Sequence, residues 1–484
     1  MSTARRVVRN SLFGLASEAI GGALSFLVVI LIARDLGSAQ FGVFSYVLAF
    51  TGVFQLVADF GLTNILVKEI ARDRARAQEI VGRVKPLVWL FSLLILGLIV
   101  VLAQFVVSAA DTRLAMGIMG AAVLATFHAV VYGSVCRAFE QMGYNAWAFV
   151  SHKVVLLALV LAAMHFHWGM AGMVYAYLIA NVYQWAFYYT IVRVRFFRTS
   201  WHVDLPYWRH LLAEAFPVGV AMIFRRATLH VDTLLLTAMS TSTAVGLFNA
   251  AYRLIQIVDM IPFTLAIPLF PAFSRLARGP QDKLREALEH ALRIFMMIAM
   301  PLATWVLLAA PSLVELAFGK SYLAAADTLR ILSGAVLFLF PTALYIYLFS
   351  ALDKQKYYTI SSAACLALNA VVDVALIPPM GYLGAAIGTL SAEVVFFLVG
   401  AALLARLGFP LPWLRLAAKP VIAAAVAAAA AILLTGGLEG VRGLVLNGVV
   451  FFGCYAAVVL LLRVVSKEDI VVLRMAMRRE AEAS

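Results

Sequence analysis

An all-α integral membrane fold is what this sequence predicts: about fourteen transmembrane helices, in two six-helix lobes related by an axis along the membrane normal, plus two C-terminal helices. Three observations predict it. Hydrophobic residues fill 64% of the 484 positions and the mean hydropathy is +0.96, whereas soluble domains run near about 45–50% apolar. Lys and Arg alternate between rich and poor connections along the chain. The chain also resembles itself at a spacing that matches six helices.

Apolar runs of roughly 20 residues mark the spans in order. The first, 9–34, follows Arg5, Arg6 and Arg9 and ends at Arg34; the second, 40–66, ends before Lys68. Segment 67–85 mixes basic and apolar residues at helical spacing, which predicts a stretch lying on the inner leaflet. Spans 86–108 and 114–135 flank Arg113, and 145–166 and 170–192 flank a short HFHWG turn. The second half reads 211–237, 243–272, 291–311, 324–350, 357–378 and 383–405, and the last pair reads 418–436 and 442–463. The long connections are 67–85, 193–210, 273–290 and 406–417, all on one side. That side holds 29 of the 38 Lys and Arg residues, the other side holds 4, and 5 fall inside spans. Such a bias places both termini in the cytoplasm, in a multi-pass protein of the cell inner membrane. It also explains the net charge of +13 without nucleic acid, because the charges sit at segment ends. The basic start from Met1 to Arg9 leads into a membrane-spanning run with no clear cleavage site, so no signal peptide is expected.

Gly42-Val43-Phe44-Ser45 answers Gly246-Leu247-Phe248-Asn249, and Gly169, Gly172 and Asn181 answer Gly381, Gly384 and Glu393. Both matches pair helices six apart, so the halves share an orientation, as in transporters with parallel repeats. The expected organisation is an N-lobe over 1–205, a C-lobe over 206–408, and helices 13–14 with a cytoplasmic tail over 409–484.

Polar residues recur on single helix faces: Glu18 with Gly21, Gly22 and Ser25; Asn181 with Tyr177, Gln184 and Tyr188; Asn369 with Ser361, Cys365 and Asp373. Interhelical hydrogen bonding explains the neutral members. The charged ones exclude lipid contact. Lys153, Arg225, Arg226, Arg253 and Arg330 form a basic ladder through the membrane, which suits a crossing anion, since arginine grips phosphate with a planar fork of donors. Internal ion pairing is the structural alternative, for instance Arg225 with Asp232 or Arg253 with Asp259. Glu18, Asp59, Asp232, Asp259, Asp373 and Glu393 are the buried acids, open to proton carriage, sodium ligation or salt bridging. His128, His152 and His230 could also titrate.

Several chemistries are excluded. Phe318-Gly319-Lys320-Ser321 lacks the upstream glycine of a phosphate-binding loop, position 314 being Val. Cys136, Cys365 and Cys454 form neither a zinc spacing nor a disulfide framework. No catalytic pair, metal site or cofactor is expected, and the chain reads as a non-enzyme.

The residues carry a resemblance over almost the whole chain. Arg34, Leu36-Gly37, Phe41-Gly42, Asp59-Phe60-Gly61-Leu62 and Arg72 open it. His230-Val231-Asp232, Asn249-Ala250-Ala251-Tyr252-Arg253, Leu269-Phe270-Pro271 and Leu329-Arg330-Ile331-Leu332 continue it. Asn369, Ile377-Pro378, Gly384-Ala385-Ala386, Thr389 and Ala392-Glu393 close it. In their order and spacing these resemble bacterial polysaccharide flippases of the O-antigen and exopolysaccharide type, within the multidrug/oligosaccharidyl-lipid/polysaccharide exporter superfamily. The resemblance implies alternating-access transport of a polyprenyl-pyrophosphate-linked oligosaccharide from the inner to the outer leaflet, for cell-surface polysaccharide biosynthesis. It implies membrane lipids as surroundings and a polysaccharide polymerase or glycosyltransferase complex as partner. A lipid II-type flippase, a cation-coupled multidrug exporter and a membrane glycosyltransferase or polymerase are the competing readings.

Overall fold

The computed structural model describes residues 3–59, 61–436 and 440–462; the side chains at 3–13, 15–16, 56–59, 64, 216–226 and 228–229 lie outside the description. The described residues form α-helices joined by short turns and 3-10 segments, with no strand among them. In a bilayer every backbone N–H and C=O must find its partner within the segment, and a helix does this by itself.

Helix α1 (Thr3–Asp59) carries the first expected span and most of the second as two arms bent at Gly37; the second ends at Asp59 rather than at 66, its last residues belonging to the next helix beyond Gly61, where φ is 79°. At Gly37 φ is 70° and ψ 169°, a conformation that favours glycine because it has no Cβ. The expected inner-leaflet stretch becomes α2 (Leu62–Arg72), a 3-10 turn and the start of α3 (Ala77–Val106). Then follow α4 (Ala110–Ala138), α5 (Met142–His165), α6 (Gly169–Arg195) and α7 (Leu205–Met239). The eighth expected span divides into α8 (Ser242–Ala266), a 3-10 turn and α9 (Phe270–Leu276). The ninth lengthens to α10 (Gln281–Phe318), whose first turns continue beyond the apolar run. α11 (Ala325–Ala351), α12 (Gln355–Met380), α13 (Tyr382–Arg406), α14 (Trp413–Thr435) and α15 (Gly440–Leu461) complete the chain. Eleven helices among the described residues are long and apolar enough to cross a membrane, with the two arms of α1 taken as one. α6 and α7, at 27 and 35 residues, have the length to cross as well.

The chain divides into two compact units, up to Leu234 and from Leu235 onward, with the boundary inside α7. In the first, α4 is the central helix, packed on α3, α6 and α1. In the second that place falls to α11, packed on α8, α10 and α13. Each has 61% of its most apolar window buried, the highest share among the candidate spans. They are the fourth and tenth spans, six apart, as the internal repeat requires. The repeated residues have matching surroundings too. Phe44 and Phe248 are both 1% exposed, and Gly169 and Gly381 open their helices with φ of 54° and 57°.

Lipid tails are as apolar as leucine, so these helices associate through close packing and polar contacts rather than by hiding apolar surface. Gly384 lets α13 lie against the backbone of α12 at Leu376 and Ile377. Gly400 makes room for the Tyr345 ring of α11, whose hydroxyl donates to the Phe397 carbonyl at 3.0 Å. α14 presents Ala423, Ala424, Ala427 and Ala431 to Phe451 and Tyr455 of α15, and the Tyr455 hydroxyl reaches the Met297 carbonyl of α10 at 2.8 Å. Outward, Leu94, Phe105, Leu433, Val449 and Leu460 stand exposed; such apolar faces need lipid around them.

Gly384→Ala would drive its methyl into the Leu376 carbonyl, a backbone group that cannot rotate away. It is expected to destabilise by about 1–3 kcal/mol, seen as a lower unfolding midpoint in detergent. Gly97→Ala, with open space around the new methyl, is expected to leave the midpoint unchanged or slightly raised.

Candidate functional site

In the second unit the polar face of α12 is buried along its length. Ser361, Cys365, Asn369, Asp373 and Ile377 follow one another at intervals of four residues and all are buried. Asn369 and Asp373 are 0% exposed. The Asp373 carboxylate lies directly over Gly388 of α13, where any Cβ would collide with it, and the Asn369 amide is close by. One turn on, Ile377 packs with Ala385, Leu236 and Phe248, where α7, α8, α12 and α13 meet. Thr389 donates to the Ala385 carbonyl at 3.1 Å. Glu393 is half-buried further along α13. A carboxylate so deep must be compensated or carry a proton. That makes Asp373 the most deeply placed of the described candidate acids.

The first unit buries neutral polar pairs between α5 and α6. His152 Nε2 lies 2.9 Å from Asn181 Oδ1, and the Tyr188 hydroxyl donates to Asn145 Oδ1 at 2.9 Å. Lys153 is half-buried, its Nζ 5.6 Å from the centre of the Phe149 ring. His128 packs edge-on against Trp89 and tilted against Trp185, with ring centres at 4.5 and 4.9 Å.

The remaining candidates are dispersed. Arg253 is half-buried on α8 and donates to Gln256 Oε1 at 2.9 Å; Asp259 is half-buried on the same helix. Arg330 is exposed near the start of α11 and pairs with Asp327 at 2.7 Å; a pair so open contributes about 0–1 kcal/mol. Glu18, expected among the buried acids, is instead exposed on the first arm of α1. Asp232 is 3% exposed on α7. His230, half a turn earlier, sits against Gly52 of the second arm of α1. The side chains of Arg225, Arg226 and Asp59 lie outside the described residues.

A further group is assembled only by the packing of distant segments. The connection between α6 and α7 is bound down on α2 and α3. The His202 N–H donates to the Gly82 carbonyl at 3.0 Å, and Trp208 Nε1 donates to the Arg83 carbonyl at 2.7 Å. The Arg83 guanidinium reaches Glu79 at 2.6 Å and Asp204 at 3.3 Å and lies 5.5 Å from the Tyr207 ring centre. The Tyr207 hydroxyl donates to Glu69; burial, then that contact, pushes its pKa well above the ordinary range. Glu69, His210 and Glu214 converge beside it. The legible signal was the four-residue interval between His210 and Glu214; their meeting with Glu69 joins residues far apart in sequence.

Residues 7–277 match the model of a family described as polysaccharide biosynthesis protein. Among characterised sequences the chain is similar to a probable low-salt glycan biosynthesis flippase, Agl15, of Haloferax volcanii, with 21% identity over 79% of this chain and 80% of that protein. Among solved structures it is similar to the lipid II flippase MurJ in an inward closed conformation, with a TM-score of 0.78 at 14% identity, covering 93% of this chain and 99% of that one. It is also similar to an inward-facing multidrug resistance transporter of the MATE family, with a TM-score of 0.63 at 17% identity, covering 80% and 95%.

Arg83 is the hub of the bound connection, so Arg83→Ala is expected to free it. Limited chymotrypsin digestion should then cleave at Phe196, Phe197 or Trp201 several times faster than in the unaltered protein. Arg330→Ala, which opens an exposed pair, is expected to change the unfolding free energy by less than about 1 kcal/mol.

Proposed function

Since the chain belongs to the polysaccharide biosynthesis protein family, we propose that it is a flippase for a polyprenyl-pyrophosphate-linked oligosaccharide. It moves the headgroup from the cytoplasmic to the outer leaflet by alternating access of its two halves, for cell-surface polysaccharide of the O-antigen or exopolysaccharide type. One observation carries this reading. α7 is helical without interruption from Leu205 to Met239, which sets Arg225 and Arg226 at the middle of the expected 211–237 span. Arginine stays charged at any accessible pH. At the bilayer centre each cation costs about 2.5–3.5 kcal/mol on insertion scales, so it belongs in a wet, anion-accepting interior. A pyrophosphate is the group on such a substrate that matches two adjacent planar forks.

In this mechanism the pyrophosphate meets Arg225 and Arg226, while Lys153 and Arg253 extend the favourable field to either side. The polyprenyl tail stays in lipid. Asp373, with Asn369 beside it, is the acid that couples transport to a proton or sodium gradient; Asp232, Asp259, Asp59, Glu18 and Glu393 take secondary parts. The protein resides in the inner membrane with both termini in the cytoplasm, the side that holds the Lys and Arg excess. A polymerase or glycosyltransferase complex consumes the flipped product. A lipid II-type substrate is the second reading, favoured by the α14–α15 pair packed on α10 and by the MurJ fold likeness over 99% of that chain.

Deleting the gene and extracting lipids is the primary test. Accumulation of a lipid-linked oligosaccharide on the inner leaflet is expected; accumulation of lipid II instead selects the second reading, and no accumulated lipid rejects both. Loss of a charge-assisted hydrogen bond is worth about 1.5–3 kcal/mol, so Arg225→Ala and Arg226→Ala should each lower export about tenfold to a hundredfold at normal membrane abundance. Asp373→Asn is expected to remove the dependence of proteoliposome transport on an imposed proton or sodium gradient. An unchanged gradient response would take Asp373 out of the coupling.

A further inference from the structure

We propose that Glu69, His210 and Glu214 form a binding site for a divalent transition metal ion of the zinc or cobalt class, bridging α2 to the start of α7. One ligand atom from each lies within 4.8 Å of the other two. His210 and Glu214 are four residues apart on one helix and so share a face; Glu69 comes from α2, more than a hundred residues earlier. A tetrahedral ion with ligands at about 2.0–2.2 Å holds its donors roughly 3.5 Å apart. Rotation of exposed or half-buried side chains supplies that contraction. The donor set, one imidazole and two carboxylates, suits a borderline ion rather than a hard one that takes oxygen alone. Two negative charges and a neutral imidazole balance a dication.

The surroundings favour the site in two ways. The Tyr207 hydroxyl donates to Glu69, the kind of outer hydrogen bond that orients a metal-binding carboxylate. Tyr207 is itself held beneath Arg83, which Glu79 and Asp204 fix in place. The competing cation is Lys68, 3.7 Å from Glu214, in a pair whose side chains are 45% and 35% exposed. So open a pair is weak, and a dication displaces it. Glu69 and His210 lie just outside the expected apolar spans and Glu214 in the first turn of 211–237, at the arginine-rich end. Metal there ties the end of α2 to the helix that carries Arg225 and Arg226, and so holds that helix's entry fixed.

The test uses purified full-length protein in detergent with any affinity tag removed, titrated with Co2+ alone and then with competing Zn2+. Saturable visible d–d absorption at one ion per chain is expected, displaced by Zn2+. His210→Ala and Glu214→Gln should each abolish it. Tyr207→Phe should weaken binding about 10–100-fold. Lys68→Ala should tighten it severalfold, a gain that misfolding cannot produce. Absence of the absorption in the unaltered protein, or its persistence in His210→Ala, overturns the proposal. Neither result bears on lipid-linked oligosaccharide export, which the lipid extraction tests separately.

Discussion

Within a bilayer, helices gain nothing by hiding leucine from leucine, and this absence governs how the protein is built. Contact has to come from backbones that approach closely and from polar groups that find one another. Both devices occur at the same places. Gly384 and Gly388 let α13 close on α12, and that closeness puts Asp373 and Asn369 wholly out of reach of solvent. Were α13 held off by side chains, the carboxylate would have room for water beside it. The alanine face of α14 does the equivalent structural work for the α14–α15 pair.

Burial of charge is uneven among the functional candidates, and the unevenness sorts them. Asp373 is enclosed, Lys153 and Arg253 are half-buried, and Glu18 and Arg330 are exposed. A fully enclosed carboxylate shifts its proton or ion affinity with small changes around it. An exposed Arg330 beside Asp327 responds mainly to salt. The first unit buries the neutral pairs His152 with Asn181 and Tyr188 with Asn145 and, on α7, Asp232. The second buries Asp373 over Gly388 of α13, one turn from the cluster where α7, α8, α12 and α13 meet. At the positions that the internal resemblance pairs, Asn181 stands against Glu393, while Gly169 and Gly381 share a positive φ.

The connection between α6 and α7 is not slack. Arg83, Trp208, His202 and Tyr207 fasten it to α2 and α3. A fixed connection delivers α7 to the membrane at a defined place. Whatever acts on α2 or on that junction therefore acts on the helix bearing the central arginines.

Hydropathy and charge by themselves determined the spans, their order and the repeat, because each depends only on local properties: apolar length, basic residues at ends, glycine where no Cβ is tolerated. Of the fourteen expected segments, the first two share α1, joined at Gly37 rather than by a loop, and the eighth is divided between α8 and α9. The face of α12 that carries Asn369 and Asp373 was also legible, since a four-residue interval fixes a helix face. Which surface that face meets was not. Gly388 beneath Asp373, and Tyr207 on Glu69 across 138 residues of chain, are pairings between helices. Periodicity states which side of a helix is polar; only the packing of one helix on another decides what that side touches.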